Sequence, residues 1–228
     1  MRSQWSKNPW AHILFDKIVF ETKANYILFS YSSDGIMSKA FIESCLKRYG
    51  KYVMRVLFLG DIVAKSGRDA VLTKLDELKE QYQPDFIIVN AENSAHGKGI
   101  TFKIYNQLLL SGIDVITLGN HAFSKTEILN HFPSMNSVVR PANMEPFHIG
   151  KSYVIKEVNG KRIAVVNLVG KVFMDVCRED PVITMEKLLK EIDADIIFVD
   201  LHAEATAEKM TFVNYFAPRL TAVIGTHT

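Results

Sequence analysis

Beyond residue 53 the hydrophobic and polar positions of the chain fall into two alternating rhythms. Met54-Arg-Val-Leu-Phe-Leu-Gly-Asp61 is an apolar run that reads as the opening strand of an α/β domain. Residues 68–82 follow, with Val71, Leu72, Leu75 and Leu78 at the three- and four-residue spacing of an amphipathic helix. The pattern then predicts a strand at 86–90, a helix around 102–110, a strand at 114–118, a helix around 125–132 and a short strand near Val138. Residues 153–158 and 162–168 flank Asn159-Gly160, the pair a two-residue type I′ turn prefers because both central residues need positive φ, so this part reads as an antiparallel hairpin. A helix at 185–192, a strand at 195–199, a helix around 208–216 and a last strand at 221–224 follow. The expected fold class is α/β: a mostly parallel sheet with flanking helices and one inserted β-hairpin.

Residues 1–53 have a different character. Both tryptophans, Trp5 and Trp10, lie there among short apolar runs and the Ser/Tyr-rich stretch 31–35. Met54 reads as the natural start of the domain, which makes 1–53 an N-terminal extension; the alternative is an accessory hairpin and helix. With 228 residues, 48% of them hydrophobic, the chain can fill one good-sized core plus an appendage. Its longest apolar runs fall far short of the roughly 20 residues that cross a bilayer, so no membrane span is expected. Asp16 and Glu21 interrupt the first apolar segment, which argues against a signal peptide. Cys45 and Cys177 form no CxxC and no disulfide framework, which fits a reducing cytoplasm.

Charge changes the picture in one respect. Of 27 Lys+Arg and 25 Asp+Glu, eight and four precede Met54, leaving 19 against 21 in the remainder. A domain of net −2 without a basic run has no footprint for gripping a long nucleic acid, whereas a small anionic substrate needs only local positive charge.

The chemistry lies where the strands end. In open α/β sheets the loops at the strand carboxyl ends surround a common crevice. Here those ends carry Gly60-Asp61, Asn90-Ala91-Glu92-Asn93, Gly119-Asn120-His121, Asp200-Leu201-His202 and Gly225-Thr226-His227. One histidine or asparagine at a strand end usually satisfies its own loop, but five ends bearing carboxylate, amide and imidazole together match the ligand set of iron, manganese or zinc. Two cations about 3.5–4 Å apart can activate water and clamp the attacking and leaving oxygens of a phosphoryl centre, which points to phosphodiester hydrolysis. By contrast, Gly60-Asp61-Ile62-Val63 lacks the glycines of a dinucleotide-binding turn.

From Met54 onward the chain resembles the YmdB-like metallophosphoesterases of bacteria, relatives of the calcineurin-like phosphoesterases associated with hydrolysis of 2′,3′-cyclic nucleotides. The resemblance rests on MRVLFLGDIV at 54–63, NAEN at 90–93, GKGIT at 97–101, GNH at 119–121, RPAN at 140–143, DLHAEATAEK at 200–209 and GTHT at 225–228. It implies a two-metal site of iron or manganese, with zinc as a further choice. Asp61 would hold one metal, Glu92 would bridge with Asn93 beside it, and Asn120, His202 and His227 would hold the second. His121 would protonate the leaving oxygen, work for which imidazole suits neutral pH. The implied partner is a small phosphodiester, and a homo-oligomer is compatible with the sequence.

Family members continue as GTHTH, the second His binding the first metal, whereas this chain stops at Thr228. The domain 54–228 is therefore read as C-terminally truncated, and the alternative function is a catalytically impaired metal- or nucleotide-binding fragment of such an enzyme. After GNH, Ala122-Phe123-Ser124 departs from the more usual Thr-Trp-Asp and is expected to alter pocket shape. Gly97-Lys98-Gly99 can be read either as an anion cradle or as a turn capped by Thr101. Arg140 and Lys171 are read as surface cations or phosphate partners. His96, His131 and His148 are read as surface or packing residues.

Overall fold

Eight strands organise residues 54–228, and central ones such as Phe86–Asn90 are buried on both faces. The computed structural model describes Asp16, Lys17, Phe20, residues 39–50 and residues 54–228. The chain forms two units, Met1–Val53 and Met54–Thr228. In the first unit, helix α1 (Lys39–Tyr49) carries Lys47 and Arg48 in its last turn, where cations face the negative end of the helix dipole, and Arg48 pairs with Asp16 at 3.2 Å. The hairpin envisaged for this segment lies outside the described residues.

In the second unit, β1 (Val56–Leu59), β2 (Phe86–Asn90), β3 (Val115–Thr117) and β4 (Val138–Val139) form a parallel sheet in that order. A second sheet contains β5 (Tyr153–Val158), β6 (Lys161–Val169), β7 (Ile196–Ala203) and β8 (Ala222–His227), again in chain order. Within it β5 and β6 are antiparallel, and the other pairs are parallel. Their turn places Asn159 at φ 52° and Gly160 at φ 70°, the two positive values the dipeptide predicts. The α/β class is as expected, but the strands divide between two sheets. Strand order along the chain is the same for one sheet or two, so periodicity alone does not distinguish them.

Helices α2 (Ala64–Tyr82), α3 (Phe102–Leu110) and α4 (Glu127–His131) accompany the first sheet, and α5 (Pro181–Glu191) and α6 (Thr206–Phe216) the second. Alternation along each strand decides which residue meets which layer. Leu57, Leu59, Ile87, Val89 and Ile116 share one apolar cluster with Leu75 of α2, Ile104 and Leu108 of α3, and Ile128 of α4. Val166, Leu168, Val199 and Leu201 share another with Met185 and Leu188 of α5 and Phe212 and Phe216 of α6. Residues of the opposite parity face the other sheet, as in the contact of Phe58 in β1 with Phe198 in β7, ring centroids 5.6 Å apart. The result is four layers, helix, sheet, sheet, helix.

Local chemistry sets the element ends. Thr101 caps α3 by accepting from the Ile104 N–H. Asp180 accepts from the Val182 N–H with Pro181 at the first helical position, so α5 begins four residues before the apolar periodicity becomes visible. Pro133 shortens α4 and leaves a 3₁₀ turn, Phe132–Ser134. Among the described residues, no helix is long and apolar enough to cross a membrane.

Candidate metal centre

At the carboxyl ends of the strands the inward-facing positions change from apolar to polar. Asn90 ends β2, Thr117 ends β3, and Asn167, Asp200, His202 and Thr226 occupy the late positions of β6, β7 and β8; all are buried. Strands β7 and β8 run further than the apolar pattern indicates, so Asp200, His202, Thr226 and His227 belong to the strands themselves. Polar residues continue a buried strand here because the strands stay paired in register and the side chains find partners across the two sheets.

His202, fully buried, is the centre of the cluster. Its Nε2 lies 2.8 Å from Asn120 Oδ1, 3.3 Å from Glu92 Oε1 and 3.1 Å from His227 Nδ1. Donor atoms of Glu92, His202 and His227 lie within 4.8 Å of one another. Asp61 joins through Oδ2, which accepts from the His227 N–H at 3.1 Å, whereas its Oδ1 is buried without a hydrogen-bond partner. Asn93 donates from Nδ2 to Glu92 Oε1 at 2.7 Å, which makes it a holder of that carboxylate. The structure thus brings together Asp61, Glu92, Asn120, His202 and His227. The ring of His121 sits at the edge, half-buried, with Nε2 at 3.4 Å from Asn120 Nδ2, and its backbone N–H donates to Glu92 Oε2 at 3.1 Å.

The electrostatics match a site made for positive charge. Burial pushes the Asp61 carboxyl up, and the neighbouring Glu92 charge adds to this. Burial also opposes ionisation of Glu92, but His202 and the His121 N–H outweigh it and hold that carboxyl below its ordinary value. Against the burial that disfavours its charge, His202 is raised by Glu92, Asp200 and Asp61. His121 is lowered, first by burial and further by Lys98. Carboxylates, an amide oxygen and two imidazoles bring more lone pairs than protons to one point, and Asp61 Oδ1 has no proton donor at all. A cation would satisfy them, so the residues fit the metals that the family resemblance implies. No thiolate competes, since the Cys177 thiol is pushed up to about 11, chiefly by burial.

Gly119 lets the walls close. A Cβ there would lie 2.6 Å from His202 Nε2 and closer still to Glu92 Oε2. We expect Gly119→Ala to displace both side chains, lowering stability by about 1–3 kcal/mol and abolishing metal uptake; thermal unfolding and metal analysis of the purified variant measure the two effects.

Other candidates fall elsewhere. Arg140 is neither a surface cation nor open to substrate, because it is buried and its guanidinium donates to the carbonyls of Pro141, Ala142, Phe147 and Ile149. In the Gly97-Lys98-Gly99 turn, the Gly97 and Lys98 N–H groups bond to Asn93 O and Ala95 O within the turn, which favours the capped-turn reading over an anion cradle. His131 stacks on Phe102 with centroids 4.3 Å apart. Asp200 and Thr226 lie inside the motifs DLH and GTH, yet sequence reasoning gave them no role. The signal available was spacing, since Asp200 and His202, two apart in a strand, share a face.

Residues 57–228 match the family model described as YmdB-like protein. The chain belongs to the YmdB-like family. It is 45% identical over 177 residues to the 2′,3′-cyclic-nucleotide 2′-phosphodiesterase of Bacillus subtilis, a match covering 77% of this chain and 67% of that one. A crystal structure of a Thermus thermophilus protein described as hypothetical matches with TM-score 0.71 at 42% identity, covering 77% and 68% of the two chains. That of a phosphatase from Mycoplasma pneumoniae matches with TM-score 0.73 at 36% identity, covering 77% and 64%. The chain thus spans about two thirds of the length of these YmdB-like and structural relatives.

Proposed function

We propose that residues 54–228 form a metal-dependent phosphodiesterase domain that hydrolyses small phosphodiesters, 2′,3′-cyclic nucleotides foremost, at a dinuclear site. One observation carries this reading: three lone-pair-bearing side chains, those of Glu92, Asn120 and His227, converge on His202 Nε2, and Asp61, bonded to the His227 N–H, keeps a buried Oδ1 without a partner. In it, Asp61 serves one metal, Glu92 bridges, and Asn120, His202 and His227 serve the second. Iron or manganese suits the mixed oxygen and nitrogen donors, with zinc as a further choice. When bound, the two metals supply a nucleophile from water at neutral pH and neutralise charge on the phosphoryl oxygens.

The chain's own residues do the rest. Asn93 and the His121 N–H hold the two oxygens of Glu92 in place, and Gly119 keeps the space in front of them open. In this reading His121, whose half-buried ring lies beside Asn120, gives a proton to the leaving oxygen of the ester. Its imidazole is held below its ordinary pKa, mainly by burial. An anionic phosphodiester beside the ring favours the imidazolium and opposes that shift, so substrate itself helps to charge its acid.

The test is metal loading followed by turnover. Protein reconstituted with Mn²⁺ or Fe²⁺ is expected to hold about two metals per chain, as a two-metal site requires, and to open 2′,3′-cyclic AMP to a single phosphomonoester. One metal or none, without turnover, would instead support a binding protein derived from such an enzyme.

A further inference from the structure

Asp200 is an acidic side chain with no exposure to solvent, and the phosphodiesterase reading gives it no work. Its Oδ2 accepts from Asn90 Nδ2 at 2.9 Å and from the Thr117 hydroxyl at 2.5 Å, both from the first sheet. Its Oδ1 accepts from the Thr226 hydroxyl at 2.6 Å. Thr226 pairs in register with His202, and its Oγ1 lies 2.9 Å from His202 Nδ1. Asp200, Thr226 and His202 thus form a continuous hydrogen-bonded chain, entirely buried, which ends at the ring nitrogen opposite the metal cluster.

We propose that Asp200 and Thr226 are positioning residues that fix the tautomer and the ring orientation of His202 for metal binding, an inference that rests on His202 being a metal ligand. A hydroxyl has one proton. Three donors converge on Asp200, so Thr226 directs its proton there and can only accept from His202. The Nδ1 of His202 would therefore keep its hydrogen when a metal is bound, leaving the Nε2 lone pair for the ion on the side of Glu92, Asn120 and His227. Metal-binding histidines commonly donate their second N–H directly to a carboxylate or carbonyl. Here a threonine is interposed, because the strand register places a residue of β8 directly beside the ring and Asp200 one step further back.

The relay has a polarity, which makes it testable beyond loss of contact. Thr226→Val keeps the shape and removes the hydroxyl, Thr226→Ser keeps the hydroxyl, and Asp200→Asn keeps the shape but can offer N–H to Thr226. In that last variant the threonine proton is turned toward His202 Nδ1, which moves the histidine proton to Nε2 and blocks the ligand. We expect the Mn²⁺ dissociation constant, measured by chelator competition on the full chain, to rise about 10- to 100-fold in Thr226→Val, to stay near wild type in Thr226→Ser, and to rise furthest in Asp200→Asn.

In Zn²⁺-loaded wild-type protein, histidine ¹⁵N spectra should show His202 protonated at Nδ1. Folding of each variant is checked by circular dichroism, and Thr226→Val carries the test if Asp200→Asn fails to fold. Wild-type protein that takes up no metal would remove the metal-site reading and the relay with it. Wild-type protein that binds Mn²⁺, with a folded Thr226→Val variant binding it equally well, would overturn the relay alone. Zinc found on Nδ1 would do the same.

Discussion

Glu92→Gln should strip the protein of metal and activity together. Glu92 presents one oxygen to Asn93 Nδ2 and the other to the His121 N–H, so both positions are acceptors. A glutamine must turn its amide N–H₂ toward one of these donors, a mismatch in a buried site that costs about 1–3 kcal/mol. The larger effect is the lost charge. Two cations held close together repel, and a bridging carboxylate is what makes their proximity tolerable. Metal content should fall below one per chain, and turnover of 2′,3′-cyclic AMP should fall by about a hundredfold or more, since metal activation of water is lost. Elemental analysis and a chromatographic assay read the two signals, and a variant that still holds two metals would remove Glu92 from its bridging role.

His121→Ala is expected to separate those same signals. The His121 ring makes one weak contact, 3.4 Å to Asn120, and it is the backbone N–H, retained in alanine, that bonds Glu92. Metal content should therefore hold while kcat on 2′,3′-cyclic AMP falls by about 10²- to 10⁴-fold, the usual contribution of a positioned general acid. An ester with a nitrophenol leaving group needs little protonation and should lose much less. Equal losses on both esters would make His121 a positioning residue, and loss of metal would make it a ligand.

Much of this architecture could be read from the sequence because most strands and helices of residues 54–228 carry a clear apolar periodicity, short as β4 and α4 are. The Asn159-Gly160 turn is local chemistry and legible as such, whereas the Thr101 cap is one of two readings of its segment. What the pattern missed was nonlocal or masked. The helix signal of α5 starts at Asp180-Pro181, where the stripe of apolar positions has not yet begun. Strands β7 and β8 run through Asp200, His202, Thr226 and His227, residues whose polarity looks like the end of a strand until their partners across the two sheets are known. Arg140 reads as a surface cation or phosphate partner by residue type, but four backbone carbonyls hold its buried guanidinium. Candidate ligands announced themselves by residue type. The groups behind them, Asp200 and Thr226, did not, because a buried hydrogen bond leaves no mark on composition.

The seam between the two sheets has a consequence for how the molecule comes together. Asn90 reaches Asp200 across 110 positions, and Asp61 reaches the His227 N–H across 166. Contacts so distant in sequence form late, after the local ones have reduced the cost of closing the loop. While the chain is being made, a nascent stretch ending before β7 already contains Asp61, Glu92 and Asn120 but neither His202 nor His227, the two imidazoles of the cluster. On the proposed ligand set the first sheet by itself lacks both imidazoles, so metal uptake would follow docking of the second sheet. A metal held by that set would then act as a latch on the finished fold, joining the two sheets at the place where they meet last.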